Sequence, residues 1–174
     1  LHGGRTARVG HGRAQQYAVL NDADAGAGDR GSALGLFDED LELEMEILRE
    51  VRDSRAIQLA ADLLGERRSA GSVARALAET TDAALAAVCR LAWRDICRRH
   101  GSFPDGAGGF AIIGYGTLGA RELSFDSDLD LVFLYGAVPE GTLSDGGRPL
   151  DALTFYTRLS QRVMHLATTQ TASG

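Results

Sequence analysis

From Asp38 onward the apolar residues of this chain recur at helical spacing. Leu41, Met45, Leu48 and Val51 form one stripe with acids between them, which predicts a first helix near 38–53. Ile57, Leu59, Ala60, Leu63 and Leu64 predict a second, short helix over about 55–64, closed by Gly65, a residue that tolerates a left-handed C-terminal cap. Ser69 or Ser72 can cap a long third helix at roughly 72–99, in which Val73, Leu77, Leu85, Val88, Leu91 and Ile96 share a side. His100-Gly101 ends it, and Ser102-Phe-Pro-Asp-Gly-Ala-Gly-Gly109 is turn chemistry that reads as a boundary.

Beyond that boundary the pattern changes. Phe110–Gly114 and Asp128–Tyr135 read as short, buried strands. A loop from Gly136 to Arg148 leads to a helix at about 151–168, with Asp151 as N-cap and Leu153, Tyr156, Leu159, Val163 and Leu166 facing the core. Thr168-Thr-Gln-Thr171 then has the β-branching of a strand. Residues 1–36, rich in Gly, Ala, Asp and Arg, show neither period and read as a linker or poorly ordered lead-in. The resulting division is a lead-in at 1–36, a helical region at 37–107 and an α/β part at 108–174, in all an α+β chain. Because it begins with Leu and stops directly after a helical pattern, the expectation is a fragment.

Composition changes this picture little. A length of 174 residues permits one domain with a real core, or a helical domain joined to part of another. The net charge of −6 lacks the basic excess of a nucleic-acid binder. Cys89 and Cys97 lie about 12 Å apart along one predicted helix, too far to bridge, and read as small buried hydrophobes. With no secretory leader and no run of ~18 apolar residues, the expected compartment is the cytoplasm, with no membrane partner.

The chemistry concentrates between the two strands. Asp128 and Asp130 are two apart on an expected strand, so their side chains share a side while Leu129 and Leu131 take the other. Like charges so placed repel unless a cation lies between them, and hard cations such as Mg²⁺ take one or two carboxylates plus substrate phosphates. Gly114, Gly116 and Gly119 precede them and leave backbone N–H groups open to phosphate. Together these residues point to a metal-nucleotide site.

Gly114-x-Gly116-x-x-Gly119 after a strand also has the form of a dinucleotide-binding fingerprint. That reading requires a helix of about ten or more residues and then a return loop. Only Ala120 to Ser127 are available, so it is set aside.

What fits is strand, glycine turn, one or two helical turns and an adjacent strand bearing acids. This resembles the nucleotidyltransferase core of the polymerase-beta type, in which a Gly followed by a small polar residue precedes acid-x-acid, as Gly116-Thr117 precedes Asp128-x-Asp130. The resemblance is closer still to the glutamine synthetase adenylyltransferase family. Gly114-Tyr-Gly-Thr-Leu-Gly-Ala-Arg-Glu-Leu123 and Ser127-Asp-Leu-Asp-Leu-Val-Phe-Leu-Tyr135 look like its signature. Arg55-Ala-Ile-Gln-Leu-Ala-Ala-Asp-Leu-Leu-Gly65, Ala92-Trp-Arg-Asp95 with Arg99-His-Gly101, and the stretch from Phe155 to Gly174 agree, so that the likeness covers about 38–174.

The resemblance implies transfer of AMP from ATP to a tyrosine of glutamine synthetase. The wording from Phe155 onward is more similar to the adenylylating, C-terminal half of such chains than to the deadenylylating, phosphorolytic half. Asp128 and Asp130 would hold two Mg²⁺ about 3.5–4 Å apart, while Gly116, Thr117 and Gly119, with Ser127 ahead of the acids, would serve the nucleotide. Implied partners are glutamine synthetase as substrate and a PII-type regulatory protein, with no nucleic acid.

The chain departs from the family pattern in three ways. Thr117 stands where the family usually has Lys, which removes a positive charge, and Ala120 stands where it has Gly. The family's third metal-binding carboxylate is expected just past Gly174, so this chain as it stands is expected not to catalyse efficiently. A non-catalytic metal-nucleotide module is the alternative. Ser127 is expected to orient the turn, Glu122 to face solvent, and Arg158 and Arg162 to face either phosphate or surface acids. His100 and His165 are read as structural.

Overall fold

The computed structural model describes residues 15–20, 34–104 and 107–171. In chain order these form strand β1 (Gln15–Leu20), helix α1 (Leu34–Leu64), helix α2 (Ala70–His100), strand β2 (Phe110–Gly114), a one-turn helix α3 (Gly116–Ala120), strand β3 (Leu131–Tyr135) and helix α4 (Ala152–Thr171). The strands make one antiparallel sheet in the order β1-β2-β3, with Phe110 opposite Tyr135 and Gly114 opposite Leu131.

The apolar stripes dictate the assembly. Val88, Cys89, Trp93 and Ile96 of α2 meet Phe155, Tyr156, Leu159 and Val163 of α4, and both meet Phe110 and Ile112 from β2. Tyr156 is the hub: it stacks on Tyr135 at 4.7 Å between centroids, contacts Phe103 and Phe110, and accepts a hydrogen bond from the Gly109 N–H at 2.9 Å. A second cluster joins Leu59 of α1, Val73, Leu77 and Leu85 of α2, and Leu118 and Leu123 from the segment between β2 and β3. Leu129 and Leu131 pack against it. This second cluster holds the glycine turn in place.

Several expectations need correction. The helices expected at 38–53 and 55–64 are one helix, since Asp53-Ser54 lacks the Gly or Pro needed to break a backbone already propagating, and Arg52 pairs with Asp53 at 2.7 Å. Gln15–Leu20 falls within the expected lead-in, yet it is a strand, formed by pairing with β2 rather than by any local period. Residues 34–36 of that lead-in open α1, and its other residues lie outside those described. Regular β3 begins at Leu131, not Asp128, and it is not buried: as an edge strand covered on one face, it leaves Val132 and Leu134 exposed. No strand begins at Thr168, because α4 runs to Thr171 and the Thr168 hydroxyl donates back to the Met164 carbonyl at 2.7 Å. Helices α2 and α4 and strand β2 lie close to their expected spans. Ser69 and Asp151 cap the two helices as expected, Ser69 Oγ accepting from the Ser72 N–H and Asp151 Oδ1 from the Thr154 N–H. Cys89 is buried and Cys97 half-buried, with no disulfide between them, and burial pushes the Cys89 thiol up to about 12.

Candidate functional site

The glycine turn is built by two breaks in extended geometry. β2 ends at Gly114, Tyr115 remains extended, and Gly116 turns to φ +58°, where an L side chain is strained. One helical turn follows, and Arg121 closes it in the left-handed conformation, φ 58° and ψ 37°. That helix is five residues long, short of what a dinucleotide fold requires. Leu118 is fully buried and pins the turn into the second core cluster, while Thr117 faces solvent.

The acids arrive from the other side. Asp128 to Asp130 precede the regular part of β3, and pairing continues one residue further, to Asp130, whose carbonyl accepts from the Tyr115 N–H at 2.8 Å. Exposure alternates along the run. Asp128 and Asp130 are exposed, whereas Leu129 and Leu131 are half-buried against the core, so the period of two holds ahead of the strand.

The Asp130 carboxylate sits directly over the turn. A Cβ built on Gly116 would lie 2.7 Å from Asp130 Oδ2, so the close approach requires glycine at that position. Gly116 and Asp130 are therefore brought together, with Thr117 next along the turn. Ser127 shapes the approach to the acids: its hydroxyl accepts from the Ser124 N–H at 2.9 Å and lies 2.7 Å from Ser124 Oγ. Asp126 accepts from Ser124 Oγ, a bond that holds its carboxyl below its ordinary pKa.

The other polar residues singled out in the sequence lie elsewhere. Arg162 pairs across to Asp95 of α2 at 2.9 Å, and Asp95 also takes Arg98 and Arg99 at 3.2 Å each. Arg158 Nη1 donates to His100 Nε2 at 3.3 Å, while His100 Nδ1 donates to the Arg148 carbonyl at 2.7 Å, which makes this buried histidine a strut between α4 and the preceding loop. Glu122 and His165 are exposed. Arg121 was assigned no part by its sequence context. Its left-handed backbone and its reach to Glu79 and Asp82 are tertiary features without a local signal.

Against this geometry, the sequence model of the glutamate-ammonia ligase adenylyltransferase family matches residues 15–174. The chain belongs to that family. The match begins at the first residue of β1, further upstream than the motifs alone reach. Curated relatives carry the description bifunctional glutamine synthetase adenylyltransferase/adenylyl-removing enzyme. That of Idiomarina loihiensis is 36% identical over 164 residues, covering 92% of this chain and 17% of the relative. That of Pseudomonas putida is 41% identical over 142 residues, 79% of this chain and 14% of the relative. That of Xanthomonas oryzae pv. oryzae is 43% identical over 136 residues, 78% and 14%. The chain thus spans about a sixth of the length of these adenylyltransferase relatives. Among the described residues no helix is long and apolar enough to cross a membrane.

Proposed function

We propose that this chain carries a polymerase-beta-type nucleotidyltransferase core that binds ATP and transfers AMP to a tyrosine of glutamine synthetase. The observation that supports this reading most is the seating of the Asp130 carboxylate on Gly116, with Asp128 exposed two residues before it. Two exposed carboxylates beside a turn with open backbone groups match the oxygen donor set of a divalent cation shared with phosphate.

Asp128 and Asp130 would hold Mg²⁺, which when bound lowers the pKa of the attacking hydroxyl and neutralises charge on the triphosphate. The work of the protein is then positioning. Gly116 offers an N–H group and Thr117 a hydroxyl, Ser127 fixes the turn that delivers the acids, and the Gly119 N–H expected at the phosphates is instead held by the Tyr115 carbonyl at 3.0 Å. Thr117 supplies no charge to the phosphates, so the acids and backbone carry more of the nucleotide affinity here than in relatives with Lys.

The stretch from Phe155 to Gly174 favours the adenylylating over the adenylyl-removing half of the family, with a cytoplasmic setting and PII-type regulation as its context. The test is transfer of label from the α-phosphate of ATP to glutamine synthetase by the full gene product. Incorporation lost in both Asp128→Ala and Asp130→Ala is expected. Release of ADP, formed when inorganic phosphate attacks the tyrosyl-AMP of modified glutamine synthetase and frees the tyrosine, without incorporation, would reassign the chain to the adenylyl-removing half.

A further inference from the structure

The one-turn helix α3 is too short to hold itself together. A five-residue helix closes only a few backbone hydrogen bonds, here from the Gly119, Arg121 and Glu122 N–H groups, so its orientation depends on tertiary ties. Leu118, fully buried in the cluster with Leu77 and Leu85 of α2, is one tie. Leu118 sets the depth of the turn, Leu123 seats the segment beyond it in the same cluster, and the bond from the Tyr115 N–H to the Asp130 carbonyl fixes its start, which leaves the C-terminal end of α3 to be oriented.

The second tie is three residues on. Arg121 ends α3 in a left-handed conformation that is strained for a non-glycine residue. From there its guanidinium reaches α2, with Nη1 3.5 Å from Glu79 Oε1 and Nη2 3.5 Å from Asp82 Oδ2. The side chain is about a third exposed, and Asp82 is the more enclosed of the two acids. Ion pairs of this length at a surface add little to stability. Their consequence is directional, because they fix the side of the turn that Leu118 does not.

We infer that Arg121, clamped by Glu79 and Asp82, is a positioning residue that orients the Gly116–Gly119 turn toward the nucleotide phosphates. It acts through the turn and does not touch the substrate. The inference rests on the nucleotide-binding reading above. It explains why a strained arginine is kept at the end of α3, where glycine would adopt the same backbone without cost.

The experiment is calorimetric titration of the chain with Mg²⁺ and the α,β-methylene analogue of ATP, alongside thermal unfolding. Arg121→Gln is expected to weaken affinity about tenfold while the protein remains folded, and Arg121→Lys to restore most of the loss by returning the charge. Asp82→Asn is the discriminating variant. It removes one jaw of the clamp and also relieves a carboxylate that burial disfavours, so affinity should fall about threefold while the melting temperature holds or rises. A merely structural role would move the two quantities together. Arg121→Gln or Asp82→Asn binding as tightly as wild type, in a protein that loses binding on Asp130→Ala, would overturn the clamp and leave the nucleotide site standing. No binding by wild type would remove both.

Discussion

Asp130 and Gly116 occupy one another's space: the carboxylate fills the position where any side chain at 116 would begin. Gly116 is favoured by its φ of +58°, and its lack of a side chain leaves the space that the exposed Asp130 carboxylate occupies. Gly116→Ala should destabilise the fold by about 1–2 kcal/mol through the left-handed backbone alone. It should also displace Asp130, so that nucleotide affinity falls by more than the lost stability explains. Thermal unfolding and titration on the same sample measure both, and an Ala variant with unchanged affinity would show that the contact is incidental.

Asp82 predicts a pH dependence. Burial raises its carboxyl to about 6, against the opposing pull of Arg121, and Glu79 adds to the rise. The folded state therefore favours the protonated form. Its contribution to stability is fully present near pH 4 and is lost as pH rises toward 6. Asp82→Asn should remove that slope and be more stable than wild type at pH 7 by on the order of 1–3 kcal/mol. The check is denaturant unfolding of both proteins at intervals from pH 4 to pH 7; parallel curves would refute it.

Asp95 is the anchor of the α2–α4 packing. It is 9% exposed and faces the guanidinium groups of Arg98, Arg99 and Arg162. Asp95→Ala leaves half-buried arginine charge without its counterion and should cost about 3–5 kcal/mol. Arg99→Ala, at the most exposed of the three, should cost about 0–1 kcal/mol. Chemical denaturation of the two variants gives the comparison, and equal losses would contradict this ranking.

Tyr156 holds the entry to β2. Its hydroxyl accepts from the Gly109 N–H and sits so near Gly108 that a Cβ there would overlap it. Tyr156→Phe preserves the ring stacking but strands that N–H, for an expected loss of about 1–3 kcal/mol. Faster hydrogen exchange at the Gly109 amide is the local sign.

What could be read from the sequence followed the range of the interactions involved. α2, α4 and β2 carry their own periodicity, and the structure places them near their expected spans. The exposure of Asp128 and Asp130, alternating with half-buried Leu129 and Leu131, was also legible, because it needs only the period of an extended chain. β1 was missed, since Gln15–Leu20 has no alternation of its own and becomes a strand by pairing with residues about a hundred positions away. The extent of β3 was overread because apolar Val132 and Leu134 signal burial, yet they face solvent on an edge strand. The partners of Arg121, Arg158 and Arg162 are set by tertiary packing, which leaves no mark in local spacing.

The central claim is that Asp128, Asp130 and the glycine turn form one metal-nucleotide site. Its most direct test is paramagnetic broadening of backbone amide signals when Mn²⁺ is added with ATP. Broadening centred on 114–119 and 127–131, and abolished in the Asp128→Ala/Asp130→Ala double variant, is the predicted result. Broadening elsewhere, or broadening in that region that survives the double substitution, would contradict the account.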